Sequence, residues 1–289
     1  MKICTEKSEV ARGLSPYRLK KNTIGFVPTM GALHDGHLAL VKRSKSENDI
    51  TVVSIFVNPT QFNSQLDLKN YPKTLEADIR MLTAAGVDFL FAPTVDEMYS
   101  SREKNPSPET DKEQFDFGEL ETVMEGKFRA GHFKGVAQIV KRLFEVVLPS
   151  RAYFGEKDFQ QLAVIRKLVQ DYRLPVEITG CPTEREPTGL AMSSRNLRLT
   201  EQERREAAVI SKALFELKNS GFRFSLAEAK KKAVEMIESS GKLKVEYLEI
   251  ADAASLQPLN DWDGSSSARV FTAVKVGEVR LIDNVELAP

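Results

Sequence analysis

One stretch near the N-terminus gathers the groups most able to do chemistry: Pro28-Thr29-Met30-Gly31-Ala32-Leu33-His34-Asp35-Gly36-His37. Two imidazoles spaced i, i+3 share one face if the segment is helical. The chain has 3 histidines in 289 residues, and two of them stand here. Gly31 and Gly36 let a ligand approach the backbone closely. A helix start adds unpaired N–H groups and partial positive charge, which suit phosphate oxygens. Imidazoles so placed can donate to charge developing on a transferring phosphoryl group, without a covalent enzyme intermediate. The competing interpretation is a pair of incidental histidines at a helix start. Zinc is poorly supported, because it takes about three or four His, Cys or carboxylate ligands. His132 lies far off, and Cys4 and Cys181 are not clustered. There is neither a G-x-x-x-x-G-K-[ST] phosphate loop nor a G-x-S-x-G elbow.

Three further stretches carry polar groups at element ends. In Gly155-Glu156-Lys157-Asp158-Phe159-Gln160-Gln161, Lys157 can pair with a phosphate as a point charge. Asp158 can accept from ribose hydroxyls, and Gln161 can address a small polar substrate. In Met192-Ser193-Ser194-Arg195-Asn196, two hydroxyls flank an arginine whose fork fits phosphate oxygens, and closure over a nucleotide would exclude water. In Phe56-Val57-Asn58-Pro59-Thr60-Gln61-Phe62, Asn58 and Gln61 can hold a hydroxy acid beside apolar Phe62. Each has a plainer interpretation: helix capping with a surface ion pair, a polar turn before Thr200, and ordinary turn chemistry.

These stretches need elements to hold them. Residues 24–27, 51–57, 87–91, 152–154 and 176–181 read as strands, and 33–46, 75–85 and 159–172 as helices. Val136, Ile139, Val140, Leu143, Phe144 and Val147 form the apolar stripe of another helix. Strands alternating with helices imply a Rossmann-like α/β fold with a doubly wound parallel sheet, whose ligands bind beyond the carboxyl ends of the strands. From about residue 184 the pattern changes. Thr200 with Glu203, and Ser225 with Glu228, are capping-box signatures that each open a helix. Strands follow at 245–250, 269–276 and 279–282, so a smaller α+β lid domain is expected over 184–289, after a nucleotide- and substrate-binding domain over 1–183. The polar run 100–112, with Pro106 and Pro108, reads as a surface loop.

Composition bounds the function. The chain is 42% hydrophobic and 28% charged, with 41 basic and 41 acidic residues. That balance gives no long-range attraction for a polyanion and disfavours nucleic acid as the main partner. No apolar run is long enough to span a membrane, and the N-terminus is too polar for a signal peptide. Two distant cysteines make no disulfide framework and fit a reducing cytoplasm.

Taken together, VPTMGALHDGH, SIFVNPTQF, YFGEKDFQQL and GLAMSSRN resemble, in order and spacing, the pantothenate synthetase family of nucleotidyltransferase-type ligases. Smaller echoes occur at Tyr71-Pro72, Gly131-His132-Phe133, residues 245–250 and Arg280-Leu281-Ile282-Asp283-Asn284. The resemblance implies a cytoplasmic homodimer that condenses pantoate with β-alanine, consuming ATP with Mg2+ and releasing AMP and pyrophosphate. A pantoyl adenylate is the implied intermediate. It further implies that Met30, Gly31, Ala32, Leu33, His34, Asp35, Gly36 and His37 line the ATP phosphates. His34, His37 and Lys157 would be the catalytic groups, with His37 the proton donor. Gly155, Glu156, Lys157 and Asp158 would bind ATP, joined by Glu184, Met192, Ser193, Ser194 and Arg195. Gln61 and Gln161 would hold pantoate, Gln61 also meeting β-alanine, and Asp78 would help place magnesium. Two departures from the family pattern stand out. Glu184 replaces a commonly apolar residue, and residues 100–129 are longer and more polar, which leaves the parts of His132 and Lys134 open. The rival functions are another small-substrate adenylyltransferase, a nucleotide-binding protein without turnover and, with less support, an aminoacyl-tRNA synthetase fragment.

Overall fold

The computed structural model describes residues 1–99, 115–261 and 267–287; the expected loop over 100–112 lies outside them. In chain order the elements are β1 (Lys2–Cys4), α1 (Lys7–Leu19), β2 (Ile24–Thr29), α2 (Asp35–Glu47), β3 (Ile50–Ile55), α3 (Gln65–Lys69), α4 (Leu75–Ala84), β4 (Phe89–Phe91) and α5 (Val95–Met98). There follow α6 (Met124–Phe128), α7 (His132–Val147), β5 (Arg151–Gly155), α8 (Phe159–Asp171), β6 (Glu177–Cys181), α9 (Glu201–Ser220), α10 (Leu226–Glu238), β7 (Leu243–Asp252), β8 (Ala268–Val276) and β9 (Val279–Leu287).

Two compact units result. The first spans Met1–Gly118, Arg129–Glu156 and Gln161–Pro182, and the second Glu119–Phe128, Lys157–Gln160 and Thr183–Pro289. The main change of unit falls between Pro182 and Thr183, and two short earlier segments, Glu119–Phe128 and Lys157–Gln160, group with the second unit. Their side chains pack on the second unit's sheet, a tertiary preference that local pattern does not encode.

The first unit is built on a parallel sheet in the order β1-β4-β3-β2-β5-β6. β2 and β3 pair over six positions, Ile24↔Ile50 to Thr29↔Ile55, and Phe26, Val27, Val52 and Val53 are fully buried. Strands covered on both faces need such continuous apolar runs. From β2 the chain winds outward to β3 and β4, then returns to place β5 on the other side of β2. That reversal between β2 and β5 is the switch point of the sheet. α7 buries each apolar residue of its predicted stripe, from Val136 to Val147. β1 and α1 have no counterpart in the sequence expectations. β1 is a three-residue edge strand, and α1 contains Pro16 and buries only Val10 and Leu14.

The second unit contains a separate antiparallel sheet, β7-β8-β9. Both capping boxes form: the Glu203 carboxylate accepts from the Thr200 N–H at 2.8 Å, and the Glu228 carboxylate from the Ser225 N–H at 3.0 Å. Ala207, Ile210 and Leu214 of α9, with Ala233 and Ile237 of α10, join Ile250, Val270, Val274 and Leu281 in one apolar core.

Candidate active site

In the first unit, β2 ends at Thr29 and the backbone turns sharply. Gly31 has φ +78° and Ala32 φ +49°, so two successive residues are left-handed, a conformation that costs energy at alanine. Asp78 of α4 holds them there. Its carboxylate is buried and accepts the N–H of Ala32 at 3.0 Å, the N–H of Leu33 at 2.9 Å and the Thr74 hydroxyl at 3.1 Å. A side chain on Gly31 would press on Ile55 and on the Asp78 carboxylate itself. Thr29 adds a further brace, accepting the Gly31 N–H on its hydroxyl at 3.1 Å while donating to the Ser54 carbonyl at 2.8 Å.

Beyond the turn, His34 is the N-cap of α2 and His37 its third residue, with ring centroids 4.1 Å apart. The His34 backbone N–H donates to His37 Nδ1 at 3.3 Å. A backbone N–H can only donate, so Nδ1 is the acceptor and the neutral His37 ring carries its proton on Nε2. The cap thus selects the tautomer whose N–H donor is Nε2. The Ala32 and Leu33 N–H groups serve Asp78 and the His34 N–H serves His37. α2 is anchored at its far end, where the Tyr153 hydroxyl of β5 donates to Glu47 at 2.9 Å and accepts from Asn48 at 2.6 Å.

Gln61 sits in a short 3-10 turn, Pro59–Gln61, that follows β3. It is buried, and its amide nitrogen meets the Met30 sulfur, which joins this turn to the histidine-bearing one. The Gln61 carbonyl accepts from His132 Nδ1 at 2.8 Å. Asn58 has a different task from the substrate contact expected of it. It is 1% exposed, donates to the Gln61 side-chain oxygen at 3.3 Å and to the Gly135 carbonyl at 3.1 Å, and accepts the Tyr99 hydroxyl at 2.6 Å. Asn58 and Tyr99 therefore support Gln61 from behind.

β5 lies beside β2 and runs parallel to it, with Gly25↔Arg151 and Phe26↔Ala152 in register. Gly155 and Glu156 thus leave the sheet at the same edge as the histidine-bearing turn, on opposite sides of the switch point. Gln161, half-buried, lies in the first turn of α8.

In the second unit, Lys157 Nζ lies 3.5 Å from the Asp158 carboxylate. The Lys157 carbonyl accepts from the Asn284 side chain of β9 at 2.9 Å. β9 also packs against the 3-10 turn Ser194–Arg198, so one strand touches both polar stretches of this unit. Ser193 caps that turn by accepting the Arg195 N–H at 3.2 Å. Behind it, buried Asn196 donates to Glu186 at 2.8 Å, and Glu186 takes a two-point ion pair from Arg204 at 2.7 and 2.8 Å. Glu184 is exposed, and its backbone carbonyl accepts the Met192 N–H at 2.9 Å in a small hairpin.

Sequence reading did not find the supports Asp78 provides to the turn, nor those of Asn58, Tyr99, Asn196, Glu186 and Asn284. The available signal was polarity inside apolar surroundings, and that becomes legible only when burial is known.

An all-parallel sheet, a switch point and paired imidazoles at a helix start make the first unit a doubly wound, Rossmann-like α/β protein. The model for the pantoate-beta-alanine ligase family matches residues 2–286, and the chain belongs to that family. It is 49% identical over 286 residues to the pantothenate synthetase of Bacteroides thetaiotaomicron, covering 99% of both chains. Among solved structures it is similar to pantothenate synthetase from Thermus thermophilus, with TM-score 0.91, 44% identity and 100% of each chain covered. It is also similar to pantoate-beta-alanine ligase from Francisella tularensis complexed with beta-gamma ATP and beta-alanine, with TM-score 0.81 and 37% identity over 99% and 97% of the two chains.

Proposed function

We infer that this chain is a carbon–nitrogen ligase that condenses pantoate with β-alanine at the expense of ATP. The family match over nearly the full length carries this conclusion. A free carboxylate is a poor acyl donor, so the acid must first be activated. The pantoate carboxylate attacks the α-phosphorus, the bond to pyrophosphate breaks, and pantoyl adenylate forms. The β-alanine amine then attacks the acyl carbon and AMP leaves.

The residue roles proposed are those that the family likeness implies. His37, with its proton on Nε2, donates to phosphate oxygens as negative charge builds on them, and His34 acts beside it. Residues Met30 to His37 face the phosphates. Gly155 to Asp158 bind the nucleotide, with Lys157 on phosphate and Asp158 on ribose. Glu184 uses its backbone, and Met192, Ser193, Ser194 and Arg195 bind phosphate oxygens. Gln61 and Gln161 hold pantoate, and Gln61 meets the amine substrate as well.

Magnesium is proposed to arrive with the triphosphate, whose hard oxygens it prefers, and to neutralise charge there. Among the described residues no group of three or more His, Cys, Asp or Glu gathers to hold a metal. Asp78 already accepts three hydrogen bonds, which limits it to an accessory part in placing the ion. A cytoplasmic homodimer is the proposed setting. Two free cysteines suit a reducing compartment, and none of the described helices is long and apolar enough to cross a membrane.

Incubation with ATP, pantoate and β-alanine tests the reaction: AMP and amide should accumulate in equal amounts. A nucleotidyl product without amide would mean an adenylyltransferase, and ATP binding without turnover would mean a binding protein; either would refute ligation. Gln161→Ala should weaken pantoate binding far more than ATP binding, and equal losses in calorimetric titrations would refute the pantoate assignment.

A further inference from the structure

Lys157 lies between two elements of the first unit, yet it is built into the second. The segment Lys157–Gln160 packs with Thr183–Pro289. The side chains of Asn284, Arg269, Phe271 and Gln160 explain why. Asn284 on β9, 4% exposed, donates to the Lys157 carbonyl at 2.9 Å. Arg269 on β8, 7% exposed, donates to the Asn284 side-chain oxygen at 2.6 Å and lays its guanidinium carbon 3.9 Å from the centre of the Phe159 ring. Phe271 meets the same ring at 6.0 Å. The Gln160 side chain donates to the Leu120 and Val123 carbonyls at 2.8 and 3.0 Å.

Arg269 and Phe271 stand two residues apart on β8, and Phe271 is paired directly with Asn284. Alternation along strands therefore places all three on one face of the sheet. That face grips the segment at two points: the backbone carbonyl of Lys157 and the ring of Phe159. Both the asparagine and the arginine are buried, which shields these contacts from competing water. Arg269 couples the two points, since one guanidinium serves both the asparagine and the ring.

We propose that Asn284 and Arg269 are positioning residues for Lys157, fixing its backbone to the β8–β9 sheet so that the ammonium is presented to phosphate in a set place. This rests on the phosphate role of Lys157 proposed above. Neither residue is required to touch substrate; both act through the lysine.

Asn284→Asp is the closest test. It keeps the shape and the acceptor for Arg269 but replaces the N–H donor with an oxygen that repels the Lys157 carbonyl. ATP binding, measured by calorimetry with magnesium and without pantoate, should weaken about five- to tenfold, the value of one buried hydrogen bond. The KM for pantoate at saturating ATP should stay near that of the parent protein. Lys157→Ala should itself weaken ATP, and adding Asn284→Asp to it should cause no further loss. Parental ATP affinity in Asn284→Asp, or losses that multiply in the double variant, would overturn the positioning role while leaving Lys157 in place. Unchanged ATP affinity in Lys157→Ala would instead remove the lysine, and the proposal with it. Should Asn284→Asp not fold, as judged by melting, Arg269→Lys makes the same test. It keeps the charge but loses the planar stack on Phe159, and should weaken ATP in the same direction without changing the KM for pantoate.

Discussion

His37 shows what one hydrogen bond can decide. Its Nδ1 accepts the His34 N–H, which leaves Nε2 as the donor. If that donor meets charge developing in the transition state, His37→Ala should slow adenylate formation about 10²–10³-fold, the usual loss for one such donor. Single-turnover quench measurements check it, and an unchanged rate would take His37 out of the mechanism. The two histidines were legible in the sequence because residue type and i, i+3 spacing are local properties. Asp78 was not legible in the same way. A carboxylate on a helix suggests solvent or a metal until the fold buries it against two backbone amides. Asn58 went the same way, from substrate contact to scaffold, for the same reason.

At the scale of elements, close approaches set the geometry of the site. α7 packs on the 3-10 turn that carries Gln61, and a Cβ on Gly135 would run into the Thr60 backbone. Gly135→Ala must therefore push that turn away. It should cost about 1–3 kcal/mol of stability and raise the KM for pantoate more than that for ATP; urea unfolding and steady-state kinetics measure the two effects. The anchor between α2 and β5 has a pH signature. Burial and the neighbouring Glu47 carboxylate push the Tyr153 hydroxyl up to about 12. An unfolded tyrosine ionises near pH 10, so between about pH 10 and 12 the unfolded chain gives up a proton that the folded one retains. The stability from this group is thus complete below pH 10 and lost as pH rises to 12. Relative to Tyr153→Phe, the parent protein should lose about 2 kcal/mol across that window, as followed by denaturant unfolding at several pH values. Element types were largely readable from apolar runs of period 3.6 or continuous strands. β1 and α1 escaped because a three-residue edge strand, and a helix that contains Pro16 and buries only Val10 and Leu14, carry almost no periodic signal.

At the scale of the whole molecule, segments change allegiance. The Glu119–Phe128 segment belongs to the second unit, held by an ion pair from half-buried Arg280 to buried Glu125 at 2.6 and 2.9 Å, with the Tyr247 hydroxyl donating to the same carboxylate at 2.8 Å. Burial works to lower the Arg280 guanidinium, but the hydrogen bonds and charges of Glu125 and Glu246 outweigh it and raise the group above its ordinary range, while burial beside Glu125 raises the Tyr247 hydroxyl. Glu125→Gln leaves the half-buried arginine with Glu246 as a carboxylate partner and should cost about 1–3 kcal/mol, read as a lower urea midpoint. A midpoint equal to the parent's would show the pair to be dispensable. By itself the sequence determined the element types, the doubly wound class, the capped helices and the cluster of candidate groups, since propensity, periodicity and spacing act over a few residues. Only the tertiary structure decided which polar groups are scaffold and which unit holds Lys157, because those outcomes depend on burial and on partners as far apart as Lys157 and Asn284.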